Sequence, residues 1–312
     1  MQEILEKYQV RKTNKQKSIF IDYLKNRLSK NGYETTIEEK GKWLFKSRNI
    51  IVGNPETAKC FVTAHYDTPP ISPFPNFMFP TNIPMFIIFQ SLLTIFIFAV
   101  AWLISIPFAM LPISGEAYVY IYEAIMFGML LMLMFGPANK HCANDNTSGV
   151  ITLVKILEKM PEQYRKNICV VFFDNEEKGL FGSQFFAKKH KDVTKNKIVI
   201  NMDCVGDGQN ILFMSKKKAR KDENLQKFIN AMQESIGDKN INFMPRKMKF
   251  MMFPSDQANF DKGVGVCSVR KSFLGYYAGR IHTPFDTKCD EINVEFLSDG
   301  IVKAMEVLSN EG

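Results

Sequence analysis

The stretch ICVVFFDNEE, residues 168–177, decides the fold class, because an uninterrupted apolar run is followed directly by acidic residues. Such runs are typical of strands that are buried on both faces, as in a parallel sheet. Loops at the carboxyl ends of these strands are where α/β folds place their chemistry. Glu176 and Glu177 are adjacent, so their side chains point in different directions. One carboxylate can hold a metal while the other reaches a water molecule.

Other apolar runs lead in the same way to imidazole or carboxylate groups. Histidine or aspartate residues follow the apolar runs 61–64 and 198–202. One more lies downstream of the run 267–269, and another is on a separate loop. They are His65, Asp67, Asp145, Asp203 and His282. Together with the glutamate pair, these acids and imidazoles suit a hydrolytic metal site.

Helical and strand-like patterns alternate along the rest of the chain. Apolar residues recur with helical period before Gly32, and two candidate strands flank residues 40–42. Further helices are predicted at 148–159, 180–190, 223–235 and 294–309. The pattern predicts an α/β fold with a mixed, largely parallel central sheet and helices on both faces.

Two long apolar stretches, residues 85–106 and 118–136, interrupt this pattern. No Asp, Glu, Lys or Arg occurs between Asp67 and Glu116. Each stretch has about the ~20 residues that a helix needs to cross the hydrocarbon core. We therefore expect a transmembrane helical hairpin, residues 81–136, inserted into one discontinuous domain formed by 1–80 and 137–312. The alternative is a buried helical hairpin in a soluble core.

The charges that flank the hairpin predict its orientation. The loop between the spans, 107–117, has no Lys or Arg, whereas Lys140 follows the second span directly. The positive-inside rule then places the bulk of the protein in the cytoplasm. The polar N-terminus does not resemble a signal peptide, and six cysteines without CxxC spacing favour reduced thiols.

The formal net charge of +8 raises the question of an anionic partner. No motif typical of nucleic-acid binding is present, so we expect no nucleic-acid partner. The basic run 216–221 is either a solvated loop or a contact with anionic lipid headgroups. The mixed basic and apolar stretch 246–253 is either a plain strand and loop or a lid that touches lipid.

The candidate site residues belong to short strings that occur in a particular order. The strings are HYDT at 65–68, ANDNTSG at 143–149, DNEEKGLFGS at 174–183, NMD at 201–203, PSD at 254–256 and HTPFDT at 282–287. In this order they resemble the dinuclear zinc exopeptidases of the bacterial leucyl aminopeptidase and aminopeptidase Y family. Glutaminyl cyclases and the transferrin receptor ectodomain are divergent relatives of that family. The resemblance covers roughly residues 15–75 and 138–310 and leaves the hairpin out.

The resemblance implies a role for each residue. Asp145 would bridge two Zn²⁺ ions, with His65 and Asp203 on one ion and Glu177 and His282 on the other. Glu176 would be the general base that takes a proton from the catalytic water, and Asp67 would orient His65. The protein would then be a membrane-anchored zinc aminopeptidase with peptide substrates and the lipid bilayer as partners.

Elementary chemistry is consistent with these roles. Residues i and i+2 of a strand share a face, so Asp67 can reach the second nitrogen of His65 and fix its tautomer. Taken singly, each of these residues also has an ordinary structural explanation, such as a helix cap or a solvated acid. Two functional alternatives stay open: a glutaminyl cyclase-like acyltransferase, which works with one zinc and does not need His65, and a catalytically inactive membrane receptor or scaffold.

Two positions depart from the family pattern. Cys142 stands where glycine is usual, and Ile281 precedes His282 where some relatives have a tyrosine. Tyr276, Tyr277 and Arg280 are nearby candidates for the missing donor. Asp145 comes only nine positions after Gly136, a reach of at most ~30 Å. We therefore expect the metal site to lie close to the membrane surface, with the proline-rich first connector as a stiff spacer.

Overall fold

A computed structural model describes residues 1–42 and 46–310, apart from the side chain of residue 250. Within these residues nine strands form one sheet. They are β1 (Thr35–Lys40), β2 (Ser47–Val52), β3 (Cys60–His65), β4 (Ile168–Phe173), β5 (Ile198–Met202), β6 (Asn210–Ser215), β7 (Asn242–Lys247), β8 (Gly263–Ser272) and β9 (Gly275–Tyr277).

The strand order is β1-β2-β4-β3-β5-β8-β6-β7, with β9 paired to β8. The central strands β4, β3, β5 and β8 run parallel, and antiparallel pairs flank them. The predicted α/β fold with a mixed, largely parallel sheet is thus confirmed. Because β4, β3 and β5 are parallel neighbours, their carboxyl ends meet at one edge of the sheet.

Helices cover both faces of the sheet, as the sequence predicted. They are α1 (Gln2–Lys7), α2 (Asn14–Ser29), α3 (Ile83–Ala109), α4 (Gly115–Phe135), α5 (Gly149–Lys159), α6 (Phe181–Lys189), α7 (Lys191–Thr194), α8 (Glu223–Glu234) and α9 (Glu291–Asn310). The larger core packs α2, α5, α8 and α9 on one face, whereas α6 closes a smaller core on the other. Residues 43–45, between β1 and β2, lie outside the described residues.

Helices α3 and α4 form the hairpin and differ from the other helices in their exposure. Both are long and apolar enough to span a membrane, with mean hydropathy of 2.5 and 1.8 in their most apolar windows. Only 11% and 6% of those windows are buried. The core helices of a soluble protein are mostly buried, so this exposure does not fit the alternative of a soluble hairpin.

The two connectors of the hairpin run side by side where they join the sheet domain. The backbone N–H of Ile71 donates to the carbonyl oxygen of Pro137 at 2.8 Å, and that of Asn139 donates to Pro69 at 2.9 Å. The chain therefore leaves and re-enters the domain at one place, a few residues beyond the carboxyl end of β3. The boundaries of the predicted inserted segment, 81–136, stay a prediction.

A buried ion pair holds the loop that begins at the end of β4. The Lys17 ammonium on α2 contacts the carboxylate of Asp174 and donates to Asn175 Oδ1 at 2.8 Å. Both partners of the ion pair are almost fully buried. Removing one charge of a buried pair leaves the other without compensation. The pair therefore fixes the start of the loop that carries Glu176 and Glu177.

We expect Lys17→Met to destabilise the fold by about 3–5 kcal/mol, because Asp174 would stay buried and unpaired. The matched control is Lys7→Met, which removes an exposed pair with Glu3 and should cost less than about 1 kcal/mol. Urea unfolding in detergent micelles, followed by circular dichroism, gives both values. Equal losses in the two variants would show that the buried pair has no special part in stability.

Candidate metal centre

The structure brings all seven predicted site residues to one edge of the sheet. His65 ends β3, Glu176 and Glu177 follow β4, and Asp203 follows β5. The remaining residues come from three loops and lie against this group. They are Asp67 after β3, Asp145 before α5 and His282 between β9 and α9. The convergence results from the parallel register of the central strands.

Asp145 lies between the two histidines and directs one oxygen toward each. Its Oδ1 is 3.3 Å from His65 Nε2, and its Oδ2 is 3.1 Å from His282 Nε2. On the first side, Asp203 Oδ1 is 3.5 Å from His65 Nε2. On the second side, Glu177 Oε2 is 3.4 Å from His282 Nε2. Asp145 thus joins two groups of potential ligands, each with its atoms within 4.8 Å of one another.

Several buried atoms of this cluster have no hydrogen-bond partner among the described residues. They include Asp203 Oδ1 and Glu177 Oε1, and Asp203 and Glu177 belong to different groups. A buried acceptor without a donor costs roughly 1–3 kcal/mol, and more when it is charged. Cations bound to these oxygens would remove that cost. Imidazole nitrogen and carboxylate oxygen are the ligands that zinc takes in catalytic sites, so the residues fit this metal.

Asp67 contacts both the histidine and the glutamate pair. Its Oδ1 lies 3.5 Å from His65 Nδ1, the position that the sequence predicted. It also accepts the backbone N–H of Glu176 at 3.0 Å and of Glu177 at 3.3 Å, which the sequence did not predict. Burial alone would raise the pKa of Asp67, but His65 and Lys17 lower it to about 2. The carboxylate therefore stays charged and fixes the loop after β4 relative to β3.

The carboxyl group of Glu176 lies beside the two ligand groups. One of its oxygens is within 4.8 Å of a His65 nitrogen and a Glu177 oxygen. Burial, together with the nearby carboxylates of Glu177 and Asp256, raises the pKa of Glu176 well above its usual range, although His65 opposes this. Its position beside both ligand groups is the one that a general base requires, within reach of a water molecule held there.

Asp256 is a buried acid of the site to which sequence reasoning gave no role. It is fully buried, and neither of its oxygens has a hydrogen-bond partner among the described residues. Burial raises the pKa of this carboxyl to about 7. The string at 254–256 was the available signal, but nothing in it shows that Asp256 is buried rather than exposed to solvent.

Polar side chains hold the loop that carries Asp145. Asp286 accepts the backbone N–H groups of Asn144 and Asp145 at 2.8 and 2.9 Å. The Asn146 side chain donates to the carbonyl oxygen of Met202 at 2.9 Å and accepts from the backbone of Cys204 at 3.2 Å. The loop before α5 is thereby fixed to the loop that carries Asp203. Both loops can hold their carboxylates in place without a metal.

The two departures from the family pattern have structural explanations. The thiol of Cys142 donates to the carbonyl oxygen of Gln9 at 2.8 Å, so the side chain fills space against the N-terminal segment. Ile281 lines the cleft above the metal ligands. Tyr277 packs against Phe77 and Phe79 of the first connector instead of facing the ligands.

The first connector of the hairpin forms part of the cleft wall. Asn76, Met78 and Pro80 line the cleft together with Phe253 and Ile281. The connector is held there because Met78 and Ala278 exchange two backbone hydrogen bonds, of 2.8 and 2.9 Å. The wall of the site is therefore continuous with the chain that enters α3.

Solved structures with a similar fold include enzymes of two kinds. The glutaminyl cyclase of Bacteroides thetaiotaomicron superposes with a TM-score of 0.58 at 17% identity, over 95% of this chain and 91% of that chain. The glutaminyl cyclase of Macrostomum lignano gives 0.58 at 13% identity, over 97% and 86%. The LapA aminopeptidase of Legionella pneumophila gives 0.55 at 15% identity, over 99% and 70%. At these identities the likeness shows the shared fold.

Sequence comparison identifies the family. A search of curated protein sequences gave no significant match. The sequence profile described as Peptidase family M28 matches residues 130–299, a segment that contains most of the candidate ligands. This agrees with the resemblance to zinc exopeptidases. Because the match covers more than half of the sequence, the chain belongs to peptidase family M28.

Proposed function

We propose that the protein is a membrane-anchored zinc aminopeptidase that hydrolyses the first peptide bond of its substrates. One observation carries the proposal. Asp145 directs its two oxygens toward two separate histidines, each accompanied by a further carboxylate. A carboxylate with this arrangement suits a bridge between two cations, and family M28 proteins typically bind zinc.

In this proposal His65 and Asp203 would hold one zinc ion, Glu177 and His282 would hold the other, and Asp145 would contribute a carboxylate oxygen to each. The three carboxylates offset most of the charge of the two ions. When bound, zinc supplies Lewis acidity, which polarises a carbonyl group and lowers the pKa of water.

The remaining residues act on protons and on geometry. Glu176 accepts a proton from the attacking water and can return it to the amine that leaves. Its carboxylate lies within reach of both ligand groups and can carry that proton between the two events. Asp67 orients His65 and, through the backbone N–H groups of Glu176 and Glu177, keeps the base beside the ligands.

The membrane part of the proposal rests on the exposed apolar surfaces of α3 and α4. Such surfaces are unfavourable in water and favourable in hydrocarbon. A hairpin returns the chain to the side from which it started. Lys140 and the absence of basic residues in the connecting loop favour the cytoplasmic side for the catalytic domain.

Glutaminyl cyclisation is the alternative activity, since glutaminyl cyclases share this fold. The position of His65, within reach of both Asp145 and Asp203, favours the dinuclear peptidase instead. An inactive receptor or scaffold is the third possibility.

Glu176→Gln should lower peptide hydrolysis by about 10²–10⁴-fold while the zinc content is unchanged, because the amide cannot take a proton. Release of amino acids from a peptide library and metal analysis of the purified protein measure the two effects. Glu162→Gln, an exposed control that precedes β4 at the end of the strand away from the site, should keep wild-type activity. A fully active Glu176→Gln would exclude Glu176 as the base. A metal-loaded wild type that is inert on every peptide would favour the receptor.

His65→Ala should reduce bound zinc from two ions to one, because only Asp145, Glu177 and His282 stay as a complete group. His190→Ala is the matched control, since His190 pairs with Glu38 outside the site. Metal analysis is combined with assays of peptide hydrolysis and of N-terminal glutamine cyclisation. Loss of hydrolysis supports the dinuclear peptidase. Cyclisation that persists without His65 would establish the cyclase instead.

Replacing residues 83–135 by about six Gly and Ser residues, which reach ~20 Å, should give a protein that stays soluble without detergent and still hydrolyses peptides. A longer deletion, 74–135, also removes Met78 and Pro80 from the cleft wall. We expect it to lose about a hundredfold in activity, because the site loses its geometry. Sedimentation and kcat/KM measure both effects. If both deletions were equally active, the connector would not be part of the site.

A further inference from the structure

The tip of the β8–β9 hairpin carries an aromatic side chain that is almost fully exposed. Phe273 is 96% exposed, and the preceding Lys271 is also exposed. Single exposed apolar residues are common on soluble proteins and by themselves indicate nothing. Phe273 differs from such residues because it lies close to the start of α3.

One side chain connects this tip to the start of the first apolar helix. Asn82 caps α3 by accepting the backbone N–H of Met85 at 3.1 Å. Its Nδ2 also donates to the carbonyl oxygen of Leu274 at 2.9 Å. Phe273, the residue before Leu274, therefore lies close to the point where α3 begins.

A second segment meets the base of α3 from another side. The backbone N–H of Met252 donates to the carbonyl oxygen of Pro80 at 3.0 Å, and the Met252 side chain is 36% exposed. Arg246 and Lys247, which precede it, are exposed. Each of the two segments thus combines an exposed apolar side chain with basic neighbours. That combination suits a layer of anionic headgroups.

The length of α3 places these side chains at the right depth. Its 27 residues extend over ~40 Å, whereas the hydrocarbon core is ~30 Å thick. The polar cap Asn82 and the exposed basic residues near Phe273 and Met252 favour the N-terminal end for the excess length, which places the first turns of α3 in the headgroup layer. A side chain at this level can enter the boundary between headgroups and acyl chains.

We propose that Phe273 and Met252 form an interfacial anchor that inserts into the leaflet at the base of α3. The anchor rests on the proposed membrane insertion of α3 and α4 and adds contacts from the catalytic domain itself. Met78, Pro80 and Ala278 line the cleft directly beside it. The anchor therefore holds the mouth of the cleft against the headgroups, so the preferred substrates are peptides whose N-termini lie at the membrane surface.

Tryptophan fluorescence in vesicles that contain anionic and brominated phosphatidylcholine lipids tests the anchor. The full-length F273W protein is prepared in a W43F/W102F background, with bromine near the headgroup or near the chain end. We expect a roughly twofold loss of emission with shallow bromine and a smaller loss with deep bromine. T57W, an exposed position beyond the opposite end of β3, is the control and should not be quenched.

The native Trp102 in α3 separates this inference from the proposed anchoring. In a W43F protein, Trp102 alone should be quenched most by deep bromine if α3 crosses the membrane. Quenching of Trp102 without quenching of F273W or of M252W would overturn the interfacial anchor and leave the transmembrane hairpin intact. No quenching of Trp102 would overturn both. The M252W variant gives an independent measurement should F273W fold poorly.

Discussion

The site depends on an electrostatic constraint: the carboxylates of Asp145, Glu177 and Asp203 are buried together beside two imidazoles. Asp145 shares its two oxygens between His65 and His282, and these contacts lower the pKa of its carboxyl in spite of burial. The same burial raises the pKa of Glu177 well above its usual range. Charges buried without partners cost several kcal/mol each. Bound cations would offset the charge of these carboxylates and so stabilise the cluster.

The ligands come from distant parts of the chain, so the fold must hold them before any metal arrives. Asp67 does this for the loop after β4 by accepting two backbone N–H groups. Asp286 and Asn146 do the same for the loop before α5. Each polar group is buried and satisfied by a neighbouring loop, so none of the loops can move without breaking hydrogen bonds inside the protein. Preorganisation of this kind lowers the cost of reaching the reactive geometry.

The sequence predicts the part of this arrangement that follows from strand register. An acid or histidine directly after a buried parallel strand must lie at the same sheet edge as its counterparts, so His65, Glu177 and Asp203 could be placed from the pattern alone. The hydrogen bonds from the backbone N–H groups of Glu176 and Glu177 to Asp67 could not be predicted. They depend on the course of the loop after β4, which the sequence does not specify. The sequence assigns no role to Asp256 for a related reason. Its raised pKa results from burial, and the burial comes from the packing of segments that are distant in the sequence.

The inserted hairpin shows most clearly what local pattern cannot supply. The length of the apolar stretches predicts two spans, and the proline content predicts a stiff first connector. Neither indicates that both connectors hydrogen-bond to the loop of a candidate metal ligand. Ser72 donates its backbone N–H to the carbonyl oxygen of His282 at 2.7 Å, and Asn139 donates through Nδ2 to Thr283 at 2.9 Å. His282 itself has a positive φ of 62°, a conformation that persists only when its surroundings impose it. Because both connectors hydrogen-bond to this loop, the position of His282 depends on the same segments that lead into and out of the apolar helices.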